Sequence, residues 1–337
     1  MRERIALNPI TDVYSLARGR DLNEFLLSLG GPSLLTFKGR DPSRCRVVVT
    51  LLHGNEPSGL NAIQALAQEN WVPSVTCHMI VASTAAAATF PWFSHRMLPG
   101  QRDLNRCFSS SSDDVQSMLA GSIKNTISEL KPECVIDLHN TSGSGPGFCV
   151  STQDSRAHQA LASCFTAWMI VTDIRLGSLM EQSLGCPVVT IEAGGAKDET
   201  ANKTAYAGIK TLFDKADVFE ASQPVGLLRN PRRFELRQGY SVAYLDRPDN
   251  AADVCLRTDI ESLNFGMTPA GTHLGWVRDN ALSPFVLDDN ENDAQRYFRV
   301  TDNQLYTVLP LRLFMATSNA DIARSDCLFY FIREGGS

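Results

Sequence analysis

An unbroken apolar run, Val47-Val48-Val49-Thr50-Leu51-Leu52, is followed at once by His53-Gly54-Asn55-Glu56-Pro57-Ser58-Gly59. A continuous β-branched run of this kind reads as a parallel strand buried on both faces, which requires helices packed above and below it. A strand that ends in His-Gly-x-Glu and then turns into a helix brings an imidazole and a carboxylate to one point beyond its carboxyl end. A divalent cation of borderline softness, zinc above all, accepts that pair. Read alone, such a pair is more often a loop hydrogen bond than a metal site; the segments downstream change that balance.

From about Leu34 to Phe219 short apolar runs alternate with helical patterns. Ser33–Phe37 and Arg46–Leu52, joined by a Gly/Asp/Pro turn, predict a hairpin feeding the sheet. Helices are expected over Gly59–Asn70, with Ser58 as N-cap, and over Val115–Leu130, Asp154–Trp168 and Asn202–Val218. Further strands are expected at Cys77–Ser83, Cys134–Leu138 and Val188–Ile191. The alternation predicts an α/β fold: a mixed, mostly parallel sheet with helices on both faces. Ligands in such sheets bind beyond the carboxyl ends of the strands, and His53, His139 and Glu192 each stand at such an end. After Gln223-Pro224 short β-type segments separated by Gly, Pro, Asn and Asp predict a smaller β-rich C-terminal domain. The domains are thus expected at 1–223 and 224–337. Residues 1–30 read as a helical arm, since Leu22, Phe25, Leu26 and Leu29 share one helical face.

The 337 residues suffice for a large core. A net charge of −6, with no basic run able to follow a phosphate backbone, argues against nucleic acid as a partner. No segment approaches the roughly 20 apolar residues of a membrane span, and the N-terminus lacks a signal-peptide pattern. Nine cysteines without paired spacing, several inside apolar runs (Cys77, Cys134, Cys149, Cys186), predict small buried hydrophobes in a reducing, cytoplasmic setting. A homo-oligomer is compatible with the sequence, which leaves the oligomeric state open.

Three more segments carry chemistry. Arg102-Asp103-Leu104-Asn105-Arg106 is either a surface loop of local ion pairs or a carboxylate clamp, because the planar fork of arginine matches a carboxylate in two parallel hydrogen bonds. In Asp137-Leu138-His139 the alternation of a strand points Asp137 and His139 the same way; a hydrogen-bonded core histidine is the plainer reading. Glu192, directly after a buried strand, is costly to ionise unless paired or used. It is therefore a general base or half of an ion pair with a helix-borne Lys or Arg. His78, His95, His158 and His273 show no partner pattern.

Together, His53-Gly54-Asn55-Glu56 with Gly59, Asp103-Leu104-Asn105-Arg106 with Phe108, Asp137-Leu138-His139 and Ile191-Glu192-Ala193-Gly194 resemble the succinylglutamate desuccinylase/aspartoacylase family, a branch of the zinc carboxypeptidase-like fold. The likeness spans about residues 45–220, with Asp-Leu-His-Asn-Thr closest to the aspartoacylase side. It implies one Zn2+ per subunit held by His53, Glu56 and His139, with a fourth position for water. It also implies Glu192 as proton shuttle, Asn105 and Arg106 gripping a substrate carboxylate, and Asp103 orienting His53. The family's carbonyl-polarising arginine falls on Arg96 or Arg102, and the resemblance favours Arg96. Leu179-Met180-Glu181-Gln182-Ser183 lacks the arginine that aspartoacylase-like members carry about ten residues before the catalytic glutamate; Arg175 is the nearest upstream. The family's late tyrosine has no clear counterpart in the tail.

The resulting expectation is a zinc-dependent amidohydrolase acting on a small N-acyl amino acid. Its rivals are a metallocarboxypeptidase cutting short peptides and a non-catalytic metal-binding homologue. A cysteine hydrolase is disfavoured, because Cys107 and Cys149 have no local His pattern.

Overall fold

The computed structural model describes residues 5–249, 252–287 and 294–333. The chain divides into two compact units: one takes the chain through Asn140 together with Gly147–Leu227, the other Thr141–Pro146 and the chain from Leu228 onward.

The first unit is built on a nine-stranded mixed sheet. Its strands are β1 (Asn8–Ile10), β2 (Ser33–Phe37), β3 (Asp41–Thr50), β4 (Val75–Val81), β5 (Val135–Thr141), β6 (Phe148–Ser151), β7 (Trp168–Val171), β8 (Val188–Gly195) and β9 (Gly226–Arg229), in the spatial order β1-β2-β4-β3-β5-β8-β6-β7-β9. Its helices are α1 (Val13–Ala17), α2 (Leu22–Ser28), α3 (Ser58–Gln68), α4 (Thr84–Ala88), α5 (Val115–Leu130), α6 (Arg156–Ser163) and α7 (Glu199–Asp214). β3 runs parallel to both β4 and β5, as its apolar run requires.

Strand alternation sorts the side chains onto two faces. Val48, Met79, Ile136, Leu138, Val189 and Ile191 pack with α3 and α7 on one side. Val47, Val49, Ile80, Val135 and Val188 pack with Leu119, Ile123 and Ile127 of α5 on the other. Each such Leu or Ile contributes about 1.5–3 kcal/mol by leaving water. Carried toward the strand ends, the α5 face of β5 and β8 holds Asp137, His139, Thr190 and Glu192, all buried.

The contacts depart from the expected elements in four places. β2 and β3 form no hairpin: β4 lies between them, antiparallel to β2 and parallel to β3. Gly39 lets the connection cross against the start of β4, where a Cβ would lie 2.2 Å from the Val75 carbonyl carbon. The helix expected to run to Trp168 ends at Ser163, and Trp168 opens β7, which pairs with β6. The intervening turn lodges Phe165 against Gly208 of α7, where a Cβ would lie 1.9 Å from the ring. Pro57, not Ser58, occupies the N-cap position of α3. Within the arm expected at the N-terminus, residues 1–4 lie outside the described residues. The remainder carries β1, α1 and α2, with Phe25 and Leu26 buried in the main core.

Gly59 brings α3 down onto β3, since a Cβ there would stand 2.0 Å from Thr50 Oγ1. Gly59→Ala is therefore expected to destabilise the fold by about 1–3 kcal/mol through overpacking, read as a lower denaturation midpoint.

The second unit holds two five-stranded sheets. One runs Met267–Thr268, Leu311–Phe314, Phe329–Arg333, Arg232–Leu236, Phe285–Leu287; the other runs Val242–Tyr244, Val254–Leu256, His273–Val277, Gln304–Thr307, Phe298–Thr301. Its core centres on Phe234, whose ring lies 4.3 Å from Phe298 and 4.8 Å from Phe285 between centroids. No helix among the described residues is long and apolar enough to cross a membrane.

Candidate metal centre and active site

β3 does not run straight into its helix. Leu51, fully buried, takes a left-handed backbone with φ of 56°, a conformation that a leucine adopts at a cost and that clusters at functional sites. The break turns His53 and Glu56 back over the strand ends. Gly54 permits the close pass, because a Cβ there would lie 2.6 Å from the Ala87 nitrogen.

His53, Glu56 and His139 come together. One ligand atom from each lies within 4.8 Å of the others, and all three residues are buried. Glu56 Oε1 is 2.8 Å from His53 Nδ1, and Oε2 is 2.6 Å from His139 Nδ1. The far ring nitrogens are held from behind. His53 Nε2 lies 2.9 Å from Asp103 Oδ1, and His139 Nε2 lies 2.8 Å from Asp137 Oδ1. Carboxylates on both Nε2 atoms fix the Nδ1 atoms toward Glu56, the arrangement that orients metal-ligating imidazoles. Two nitrogens and one carboxylate, converging and buried, form a donor set suited to zinc.

Asp103 is fully engaged. Besides His53 it accepts from the Asn105 backbone through Oδ1 at 2.8 Å, and from Arg96 Nε and Nη2 through Oδ2 at 3.1 and 2.8 Å. Arg96 Nη1 also stands 3.7 Å from Glu56 Oε1, so its guanidinium borders the cluster. Arg102 lies elsewhere: its Nη1 donates to Asp114 Oδ2 at 2.7 Å and to the Ser110 and Ser117 hydroxyls, at the start of α5.

Asn105 is buried beneath His139. Its Oδ1 accepts from Leu179 N–H at 3.0 Å, and its Nδ2 lies 3.4 Å from Asp137 Oδ2. That carboxamide, expected to grip a substrate, is thus taken up by protein groups. Arg106 donates from Nη1 to the Asn105 carbonyl at 3.1 Å. The stretch without the expected arginine forms a tight loop in which Glu181 accepts from Leu176 N–H, Gly177 N–H and the Ser178 hydroxyl.

Glu192 sits on β8 opposite Phe148 of β6. It is buried, and its Oε2 has no hydrogen-bond partner among the described residues. Burial raises its pKa to about 8; His139 and Arg96 favour its charge, while Glu56 and Asp137 oppose it. An orphaned carboxylate oxygen beside this donor set is what an approaching cation and its water would satisfy. Burial also resists ionisation of Glu56 and Asp103, yet the imidazoles against them, with Arg96 on Asp103, hold both well below the usual carboxylate range. For His139, burial disfavours the charged ring, but Asp137 and Glu56 raise its pKa well above the usual value.

The sequence alone gives no role to Asp137, Thr190 or Asn140. The Asp-x-His spacing is the one local signal among them. Thr190, whose hydroxyl donates to Asp137 Oδ2 at 3.2 Å, looks like any threonine in a strand. All nine cysteines are free thiols.

A large mixed sheet with two imidazoles and a carboxylate gathered at its strand ends defines an α/β fold of the zinc carboxypeptidase-like type. Residues 46–213 match the Succinylglutamate desuccinylase/Aspartoacylase catalytic domain, and that segment belongs to the family. The structure is similar to a succinylglutamate desuccinylase/aspartoacylase from Rhodobacter sphaeroides, with 17% identity, TM-score 0.57 and 88% of each chain covered. It is also similar to murine aminoacylase 3, with 15% identity, TM-score 0.51 and coverage of 88% of this chain and 96% of that one. A succinylglutamate desuccinylase from Vibrio parahaemolyticus gives 14% identity, TM-score 0.55 and the same coverages. At these identities the likeness establishes the fold. No curated protein sequence matches the chain.

Proposed function

We propose that this chain is a zinc-dependent amidohydrolase that cleaves the amide bond of a small N-acyl amino acid, releasing a carboxylic acid and a free amine. The observation that carries the reading is the convergence of His53, Glu56 and His139 beside a buried Glu192 whose Oε2 has no partner among the described residues. His53, Glu56 and His139 are the residues that would hold the cation, with both Nδ1 atoms turned toward Glu56. When bound, zinc supplies Lewis acidity that lowers the pKa of water from about 16 toward about 7. Glu192 accepts the proton of the attacking water and delivers it to the departing nitrogen, a role its raised pKa suits. Arg96 donates to the carbonyl oxygen as negative charge builds on it, and Asp103 holds both Arg96 and His53 in place. Arg106 binds the substrate carboxylate. Asn105, engaged with Leu179 and Asp137, supports His139 from below. Nine free thiols suit a cytoplasmic setting.

The names of the relatives, a desuccinylase/aspartoacylase and an aminoacylase, support an N-acyl amino acid as substrate. The test is a panel of N-acetyl and N-succinyl amino acids assayed beside dipeptides with zinc-loaded protein. Turnover confined to dipeptides favours a carboxypeptidase. Stoichiometric zinc without turnover of any member marks a non-catalytic homologue.

The two arginines separate in the same assay. Arg96→Ala is expected to lower kcat/KM by about 10²–10³, the usual cost of losing an oxyanion donor. Arg102→Ala, removed from the cluster, is expected to stay within about twofold of the parent. Equal losses in both variants would refute the assignment of Arg96.

A further inference from the structure

Asn140 follows His139 on β5 and, by strand alternation, faces the opposite side of the sheet, toward α3 and α7. It is buried at 3% exposure. Its Oδ1 accepts from the N–H of Ser58, two residues past Glu56, at 3.1 Å. Its Nδ2 donates to the Ser58 hydroxyl at 2.8 Å and to the carbonyl of Gly194, two residues past Glu192, at 2.9 Å. Its backbone N–H points at Glu56 Oε2, 3.4 Å away. The Ser58 hydroxyl passes the chain on to Asn202 Oδ1 of α7 at 2.8 Å. The carboxamide can be oriented only one way, because the Ser58 N–H can only donate and the Gly194 carbonyl can only accept. One side chain next to His139 thus ties together the segments bearing Glu56 and Glu192, through Ser58 and Gly194, which lie 82 and 54 residues from it along the chain.

Resting on the metal reading above, we infer that Asn140 is a positioning residue that sets the spacing of Glu56, His139 and Glu192, touching neither cation nor substrate. The carboxamide bonds to Ser58 and Gly194 are buried, so each is directional and costly to leave unmade. Displacing Ser58 moves Glu56 through a two-residue lever on a stiff helix start; displacing Gly194 moves Glu192 through the same lever on β8. The Cβ-only side chain of alanine at position 140 leaves the Ser58 N–H and the Gly194 carbonyl without those bonds.

The test is zinc titration against a competing chelator, alongside steady-state kinetics and the melting temperature of the metal-free protein. Asn140→Ala is expected to weaken zinc binding by about 10–100-fold, in line with other outer-shell losses, and to lower kcat with KM within about twofold. Ser163→Ala is the stability control. Its hydroxyl donates to the Ala160 carbonyl and accepts from Ser222 N–H, remote from the ligands. It should lower the melting temperature and leave zinc affinity alone; an equal loss of affinity there overturns the inference. Should Asn140→Ala fail to fold, Ser58→Ala decides, since it removes only the hydroxyl. For whichever variant is used, affinity within about threefold of the parent overturns the inference. A parent protein that binds no zinc, or binds it unchanged after His139→Ala, overturns the metal reading and this inference with it. A parent that binds through His139 while the deciding variant binds equally well overturns the inference alone.

Discussion

Glu192→Gln is expected to lower kcat by about 10²–10⁴ while leaving zinc content and melting temperature near those of the parent, the range that a positioned general acid–base supplies. The substitution conserves volume and removes only the capacity to hold a proton. It is structurally mild because Glu192 Oε2 has no hydrogen-bond partner among the described residues, so no existing bond to that atom is lost. Burial in this pocket disfavours the carboxylate and raises its pKa to about 8, so a neutral amide is no harder to bury than the acid it replaces. The measurement is kcat with a good N-acyl substrate, together with zinc content by elemental analysis. Undiminished turnover would remove Glu192 from the mechanism.

His139→Ala is expected to abolish both stoichiometric zinc and hydrolysis. The loss exceeds that of a single ligand, since among the described residues the fully buried Asp137 carboxylate keeps the Thr190 hydroxyl and the Asn105 carboxamide against it, both neutral, once the imidazole is gone. Removing one member of a buried charged pair costs about 3–5 kcal/mol, so the metal-free variant should also melt earlier than the metal-free parent. In the parent, zinc at a thousandfold excess over Kd adds about 4 kcal/mol of stability; in the variant it should add none. The pH dependence has a defined sign. His139 has a raised pKa in the metal-free protein and must give up a proton to ligate, so zinc binding releases protons and affinity rises with pH. Calorimetry in buffers of different ionisation enthalpy reads that release. Zinc uptake by His139→Ala equal to the parent's would exclude the proposed ligand set.

Much of the site was legible because its residues sit where local rules apply. A strand buried on both faces must be continuously apolar, so a polar residue at its end stands out, and His53, His139 and Glu192 did. The three-residue spacing of His53 and Glu56 needs only one turn of chain to converge. The partnerships were less legible. The resemblance implies Asp103 behind His53, but nothing in the sequence signals that its other oxygen faces Arg96. Arg96 and Arg102 differ in chemistry by nothing, and only the position of α5 assigns Arg102 to Asp114. Nor does the sequence signal that the loop carrying Leu179 meets the Asn105 carboxamide from 74 residues away. The hairpin expected from β2 and β3 failed for a similar reason: hydrophobic alternation makes a strand but does not name its neighbour, and β4 took the place between them.

What the amino-acid order determined by itself was the central strands and main helices, the face each presents to the core, and which polar side chains end up at strand termini. Those follow from short-range backbone geometry and from the exclusion of apolar surface from water. Strand order, the hydrogen bonds behind each imidazole and those that Asn140 makes to Ser58 and Gly194 were decided only in the folded molecule. Each depends on groups tens of residues apart arriving within about 3 Å of one another, a condition that local pattern does not encode.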